Sequence, residues 1–219
     1  SDKLKVIKRH PELFELVGYA EENGHDMIVS HHPLIFKPMR SLNTGSITGK
    51  RVCRLIKSDI FAMSFHTRLD AVAVNDALAQ ALELENVEGF CLDGIMMGRI
   101  GVLPRQMSVE DFAEYVKIKL NAPFVEYPKV EKSISRVALL GGSGADAAEL
   151  ARSLGADCLL TGECGYNKAL DSAESGFPII VAGHYYTENP VCDKIVKIIN
   201  DVCEEVVCEI YPSNIFGVK

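Results

Sequence analysis

Apolar residues recur along the chain in two alternating patterns. Short apolar runs such as MIVS and VALL are typical of buried strands, and longer segments with one apolar face are typical of helices. Strands that alternate with helices of about 10–15 residues predict parallel pairing in an α/β architecture. The predicted helices are 11–23, 48–57, 72–84, 108–120, 145–155, 167–175 and 188–205, and the predicted strands are 26–30, 59–67, 98–103, 135–142, 156–162, 178–184 and 206–213.

The alternation restarts after about residue 94, which predicts two α/β lobes. We assign residues 1–94 to the first lobe and residues 95–183 to the second. Residues 184–219 are expected to form a C-terminal turn, helix and strand that complete the fold. The two lobes are candidates for related copies, although the sequence shows no short-period repeat.

Composition narrows the class of protein. The chain has 219 residues, a net charge of −7 and no block of Lys or Arg, so general nucleic-acid binding is not expected. No apolar run approaches the roughly 20 residues that cross a bilayer, and no signal peptide opens the sequence. Seven cysteines without CxxC spacing suit reduced thiols, which predicts a cytoplasmic protein.

Several polar side chains come just after an apolar strand. They are His31 and His32, His66 and Asp70, Glu163, and His184 and Glu188. In open α/β sheets, ligands gather beyond the carboxyl ends of the strands. Residues distant in sequence are therefore expected to converge there.

Imidazole and carboxylate groups in this pattern predict a metal site. Neutral imidazoles and carboxylates are good ligands for Zn²⁺, Mn²⁺ or Fe²⁺. HTRLD and HYYTE each place a histidine four residues before a carboxylate, and such pairs share one face of a helical turn. His31 and His32 are expected to serve two metals from opposite sides of a turn. The alternative, for each histidine taken singly, is a polar loop residue or a core residue with its hydrogen bonds satisfied.

Two further segments have more than one interpretation. GGSGAD (141–146) is better explained as a tight strand-to-helix turn than as a phosphate loop, because it lacks the spacing of known phosphate motifs. Glu163 in TGECGY is either a site residue or the cap of the next helix. Tyr185 and Tyr186 either line a pocket or pack in the core.

Five motifs in order resemble the GTP cyclohydrolase 1 type 2 homologues, also called the Nif-three-like family. The motifs are SHHPLIF, HTRLDA, RVALLGGSGAD, TGE and GHYYTE. The resemblance implies two similar α/β lobes, with mixed sheets flanked by helices, a dinuclear metal centre in the cleft between them, and a hexameric ring. It implies two divalent ions per chain, of Zn, Fe, Mn or Mg. The implied metal ligands are His31, His32, Asp70, His184 and Glu188, with Glu188 as the bridge and His66 as a nearby acid–base group.

The sequence also departs from the family pattern. It lacks tryptophan, and residues 1–16 match poorly, so we expect an N-terminal segment of the family to be missing from this sequence. Arg68 stands where the family usually has Asn, and it is expected to face either an anionic substrate or solvent. Asn167 lies near the place where the family commonly has a histidine.

The resemblance implies a dinuclear-metal-dependent hydrolase of the GTP cyclohydrolase type 2 kind, with His66 and Glu188 as catalytic residues. A nucleotide or a phosphoester is the expected small-molecule substrate, attacked by a water that the two ions activate. The alternative is a non-catalytic metal-binding oligomeric scaffold that docks partner proteins or handles metal. The sequence predicts neither membrane nor nucleic-acid partners.

Overall fold

The computed structural model describes residues 5–8, 14–212 and 214, which divide into two compact units. The first unit comprises residues 1–69 and 192–217, and the second comprises residues 70–191.

The first unit is built on a four-stranded parallel sheet. The strand order is β3-β2-β1-β9, and each neighbouring pair is parallel. Its elements are β1 (Lys5–Lys8), α1 (Phe14–Glu22), β2 (Met27–Ser30), α2 (Ile47–Lys57), β3 (Phe61–Ser64), α3 (His66–Leu69), α9 (Val191–Val202, of which Val191 belongs to the second unit) and β9 (Val207–Ile210).

Helices α1 and α2 supply the buried apolar cluster of the first unit. Leu16 and Val17 of α1 are fully buried, and Leu55 of α2 packs in the same cluster with Ile28 of β2. Helix α2 begins where Ser46 accepts a hydrogen bond from the Gly49 amide, at 3.0 Å. This cap satisfies one of the amide groups that a helix N-terminus leaves unpaired.

The second unit is built on a five-stranded mixed sheet of order β4-β5-β6-β7-β8. Strands β4, β5 and β6 pair antiparallel, whereas β6, β7 and β8 pair parallel. Its elements are a π-helical turn (Asp70–Val74), α4 (Asn75–Ala81), β4 (Glu85–Leu92), β5 (Ile95–Ser108), α5 (Val109–Lys119), β6 (Ser133–Leu140), a 3-10 turn (Ala145–Ala147), α6 (Ala148–Ser153), β7 (Cys158–Thr161), α7 (Tyr166–Glu174), β8 (Ile179–Val181) and α8 (His184–Glu188).

The central strand β6 of the second sheet is buried on both faces. Val137 and Leu139 of β6 pack in a cluster with α4 and α5, and Ala138 and Leu140 pack in a cluster with α6 on the other face. Successive side chains of a strand point to opposite faces, so a strand covered on both sides is apolar throughout. This explains the uninterrupted run VALL.

The structure confirms most predicted elements and the mixed sheet expected for the second lobe. Alternating strands and helices predicted the parallel pairs, β6 with β7 and β7 with β8, whereas β4, β5 and β6 pair antiparallel. Strand β4 was not predicted because it is largely exposed and lacks a clear apolar alternation, although its Asp93–Gly94 turn is a hairpin signal. Strand β1 was also not predicted. Mixed sheets were expected in both lobes, whereas the sheet of the first unit is wholly parallel.

The unit boundaries differ from the predicted ranges 1–94, 95–183 and 184–219. The first unit ends at Leu69, and residues 192–217 return to it because β9 pairs with β1. No helix in the described part of the chain has both the length and the apolar character needed to cross a bilayer.

Candidate functional site

Three histidines of the first unit lie together at the carboxyl end of its sheet. His31 and His32 follow β2, and His66 begins α3 directly after β3. Their ring centroids are 4.7 Å apart for His31 and His32, 5.1 Å for His31 and His66, and 5.0 Å for His32 and His66. We call these three side chains the imidazole cluster. His66 had been expected at the end of a longer strand, but β3 stops at Ser64.

A serine pair fixes the strand ends that carry the imidazole cluster. Ser30 and Ser64 are register partners in β2 and β3, and their hydroxyl oxygens are 2.8 Å apart. Ser30 donates its hydroxyl proton to the His32 carbonyl at 2.8 Å, so Ser64 is the donor to Ser30. Parallel strands in register bring their carboxyl ends to one edge, and the buried Ser30 holds the His31–His32 turn there.

Asp70 opens the π-helical turn at the start of the second unit. The buried Arg99 donates to the Ala71 carbonyl at 3.1 Å and to the Asp76 carboxylate at 2.5 Å, which anchors the turn on both sides. Asn75 is also buried and donates to the Met97 carbonyl at 2.8 Å. Single π-turns inside helices are often found at functional sites.

His184 and Glu188 share one face of α8 in the second unit. The His184 Nε2 atom lies 3.0 Å from Glu188 Oε1, which confirms the predicted pairing of residues four apart. Glu188 is buried. His184 had been placed at the end of a strand, but β8 ends at Val181 and His184 is the first residue of α8.

The GGSGAD turn forms a cradle against this pair. Gly142 has a φ of +64°, and a Cβ there would lie 2.4 Å from Glu188 Oε1 and 3.2 Å from His184 Nε2. The Gly142 amide donates to Thr187 Oγ1 at 3.1 Å, and Thr161 donates to the Gly142 carbonyl at 3.1 Å. The turn is therefore a tight strand-to-helix connection, as predicted, and only glycine fits beside the carboxylate.

Glu163 completes a chain of polar contacts. Its Oε2 accepts from the Ser143 hydroxyl at 2.6 Å, and its Oε1 lies 2.8 Å from His184 Nδ1. The bond from Ser143 lowers the pKa of the Glu163 carboxyl, and the bond from His184 adds to this effect. The hydrogen bond to Glu188 raises the pKa of His184 to about 9, with Glu163 contributing in the same direction.

The structure answers the open questions about Glu163, Tyr186 and Arg68. The N-cap residue of α7 is Gly165, so Glu163 is not the helix cap. Tyr186 packs against the buried cluster of α4 and α5, as the core interpretation expected. Arg68 is exposed to solvent.

Sequence reasoning did not single out the side chains that hold these groups in place. They are Ser30, Ser64, Asn75, Arg99, Ser143, Thr161 and Thr187. Thr187 lies inside HYYTE and Ser143 inside GGSGAD, so their motifs offered a signal. Nothing in the sequence pointed to Asn75 and Arg99. Their partners are backbone groups distant in sequence and, for Arg99, the Asp76 carboxylate, which is also distant in sequence.

The side chains present fit a divalent metal ion. Of the expected ligands, His31, His32, Asp70 and Glu188 are members of the candidate metal-binding groups found among the described residues, and His66 is a further member, whereas His184 is in neither group. In the first unit, the centroids of three imidazole rings lie 4.7, 5.0 and 5.1 Å apart. In the second unit, a histidine and a buried carboxylate face a cradle that a Cβ would fill. Imidazole with carboxylate is the donor chemistry of Zn²⁺, Fe²⁺ and Mn²⁺ sites.

Known proteins resemble this chain over most of its length. A GTP cyclohydrolase 1 type 2 homolog of Nostoc is 34% identical over 179 residues, covering 78% of this chain and 68% of the relative. A protein of the same name from Deinococcus radiodurans is 35% identical over 197 residues, covering 86% and 73%. The crystal structure of Staphylococcus aureus protein SA1388 is similar with a TM-score of 0.85 at 26% identity, covering 98% of this chain and 86% of that chain.

The sequence model described as Duf34/NIF3 (NGG1p interacting factor 3) matches residues 13–215. This range contains the imidazole cluster, Asp70 and the His184–Glu188 pair. The match, together with the relatives above 30% identity, shows that the chain belongs to the Duf34/NIF3 family, which is the family that the five sequence motifs indicated.

Proposed function

We propose that the chain is a hydrolase that depends on two divalent metal ions and acts on a nucleotide or another phosphoester. The proposed ligands are His31, His32, Asp70, His184 and Glu188. The observation that carries the proposal is the concentration of imidazole and carboxylate donors at strand ends, above all the imidazole cluster of the first unit. Divalent ions would supply Lewis acidity there and make a water a much stronger acid near neutral pH.

His66 and Glu188 are the proposed catalytic residues. His66 is partly exposed at the start of α3, where a substrate proton can reach its ring. The two nitrogens of an imidazole can accept a proton from one reacting group and donate a proton to another. Glu188 is buried beside His184 and holds its carboxylate in a fixed position.

GTP is the first substrate to test, with ring opening at C8 as the reaction. The support is the name GTP cyclohydrolase 1 type 2 homolog, which relatives of 34% and 35% identity bear. Hydrolysis of a nucleotide phosphoester would use the same donors, so the screen should include nucleoside mono-, di- and triphosphates.

Metal analysis combined with a nucleotide screen tests the proposal. We expect about two ions per chain in the wild type, and we expect Glu188→Gln to lose metal together with hydrolytic activity. Glu149→Gln is a matched control, since Glu149 is exposed on α6 and belongs to neither group of donors.

Activity that survives complete metal removal contradicts the mechanism. Unchanged metal content in both His32→Ala and Glu188→Gln contradicts the ligand set. Full metal content without turnover of any nucleotide would favour the scaffold function instead.

We also propose that copies of the chain assemble, with a hexameric ring as the expected form. The support is an apolar surface on the first unit, where Phe61 and Met63 of the edge strand β3 are 67% and 46% exposed and Phe36 is 72% exposed. Large exposed apolar patches mark interaction sites, and an edge strand offers unpaired backbone groups. Light scattering should give six copies for the wild type and fewer for Phe61→Glu. A wild-type monomer at high concentration contradicts this assembly.

The cytoplasm is the proposed location. All seven cysteines are free thiols in the structure, which is the state that a reducing compartment maintains. Fractionation of cells that express the tagged chain tests this assignment.

A further inference from the structure

Glu163 is the outer member of a continuous line of polar contacts in the second unit. Ser143 donates to Glu163 Oε2 at 2.6 Å, Glu163 Oε1 contacts His184 Nδ1 at 2.8 Å, and His184 Nε2 contacts Glu188 Oε1 at 3.0 Å. Both carboxylate oxygens of Glu163 are therefore engaged by side chains that lie 20 and 21 residues away.

The backbone fixes Glu163 as well. The amides of Gly162 and Glu163 both donate to the Gly142 carbonyl at 2.9 Å. Ser143, which holds the Glu163 side chain, follows Gly142 in the same turn. One segment therefore holds both the side chain and the backbone of Glu163. The position of the Glu163 carboxylate is therefore fixed by the contact between the end of β7 and the GGSGAD turn.

The contact with Glu163 decides which nitrogen of His184 faces the cradle. A carboxylate at Nδ1 keeps that nitrogen protonated as a donor, so an incoming ion would displace the proton of Nε2 and bind there, beside the Glu188 carboxylate. Nε2 points to the Glu188 carboxylate and lies beside the backbone of Gly142, where a Cβ would come within 3.2 Å of it. Binding of an ion through Nε2 requires this orientation of the His184 ring, and the contact with Glu163 holds the ring in it.

We propose that Glu163 is a positioning residue that orients His184 for metal binding through Nε2, with Ser143 holding Glu163 in place. This inference rests on the proposed function, since it requires that His184 bind an ion. Carboxylates in this position raise ligand basicity and fix the ring, and their loss typically weakens metal affinity by about 10–100-fold. Glu163 itself contributes no ligand atom in this proposal.

Zn²⁺ affinity of metal-free protein, measured by competition with a chromophoric chelator, tests the inference. Glu163→Ala should weaken binding by about 10–100-fold. Glu163→Gln should lose less, because its amide oxygen still accepts from Nδ1 although the charge is gone. Ser143→Ala should lose least, and Glu149→Gln should match the wild type, because Glu149 is exposed on α6.

Two further readouts separate positioning from general damage to the fold. In ¹⁵N NMR spectra of the Zn²⁺-loaded wild type, His184 should carry its proton on Nδ1, and in Glu163→Ala a fraction of the rings should turn over, bind the ion through Nδ1 and carry the proton on Nε2. In a His184→Ala background, Glu163→Ala should cause no further loss of affinity. If Glu163→Ala fails to fold, Glu163→Gln and Ser143→Ala decide the question.

The outcomes distinguish this inference from the proposed function. Wild-type protein that binds Zn²⁺, with unchanged affinity and an unchanged His184 tautomer in the Glu163 variants, overturns the role of Glu163 alone. A further loss of affinity in the His184→Ala background does the same, because Glu163 would then act through another group. Wild-type protein that binds no divalent ion overturns both proposals.

Discussion

The two units present candidate ligands in different ways. In the first unit, three imidazoles follow the ends of two short parallel strands, one of which, β3, lies at the sheet edge with exposed apolar side chains. In the second unit, one histidine lies between two carboxylates, next to the glycine turn that follows β6, a strand buried on both faces.

This difference shows two ways to fix a polar group. In the first unit, register between neighbouring strands suffices, because Ser30 and Ser64 lie side by side and the histidines follow them. In the second unit, hydrogen bonds that link the GGSGAD turn to the end of β7 and to α8 hold a single pair in place. We therefore expect the second unit to be the more rigid support and the more sensitive to small changes of shape.

Loss of the largest buried side chain of the second unit should have the largest effect. Phe112 of α5 is fully buried, and Phe112→Ala should lower the free energy of unfolding by about 3–5 kcal/mol, through lost burial and the cavity left behind. Denaturant unfolding measures this. Ile118→Ala on the same helix is the control, since Ile118 is 68% exposed and should change stability by no more than about 0.5 kcal/mol. Equal losses in the two variants would contradict the placement of the core.

A methyl group in the cradle should have the next largest effect. Gly142→Ala places a Cβ 2.4 Å from Glu188 Oε1 at a φ of +64°, and overpacking adds about 1–3 kcal/mol to the backbone strain. Gly155→Ala is the matched control, because Gly155 has a φ of +81° but nothing within 4 Å of the added Cβ. Thermal unfolding of both variants measures the difference. Equal destabilisation would show that the cradle is not tight.

Helix caps allow a direct comparison of the two units. Ser46 caps α2 in the first unit and Ser108 caps α5 in the second, each through a hydroxyl that accepts an amide hydrogen bond, at 3.0 Å and 3.1 Å. Ser46→Ala and Ser108→Ala should each cost about 1 kcal/mol. Hydrogen exchange should localise each loss to its own unit. A loss that spreads evenly over both sheets would mean that the units unfold as one.

Two surface carboxylates should show the smallest effects, on the acid side of the pH range. Hydrogen bonds from Arg54 lower the pKa of Glu21 in the first unit, and a hydrogen bond from Lys119 lowers the pKa of Glu83 in the second. Because both folded-state pKa values are depressed, the stability they contribute is present above the ordinary value of 4.5 and is lost as pH falls through the lowered value.

NMR titration of the two carboxyl groups checks this expectation. Arg54→Met should return Glu21 toward its ordinary pKa and leave Glu83 unchanged, and Lys119→Met should do the reverse. The effect on stability should be small in both cases, because the carboxylates face solvent and water screens the pairs. A shift of both groups in either variant would contradict the assignment of partners.

Local signals in the sequence predicted much of the fold and part of the site. The sequence predicted the Ser108 cap, the helix that follows it, and the pairing of His184 with Glu188 on one helix face. Each of these features depends on neighbours within four residues. The sequence did not reveal that β4 pairs antiparallel or that residues 192–217 return to the first unit, because strand pairing depends on distant partners.

The amino-acid sequence by itself determined which residues are available as ligands, which strand ends carry them, and which family the motifs indicate. The tertiary structure decided the rest. It alone brought Ser143 to Glu163 and Glu163 to His184, and it placed His66 beside His31 and His32. It also placed Gly142 where an added Cβ would lie 2.4 Å from the Glu188 carboxylate. Local hydrogen bonds and helical periodicity are encoded within a few residues, whereas contacts across 20 or more residues depend on how strands and loops pack.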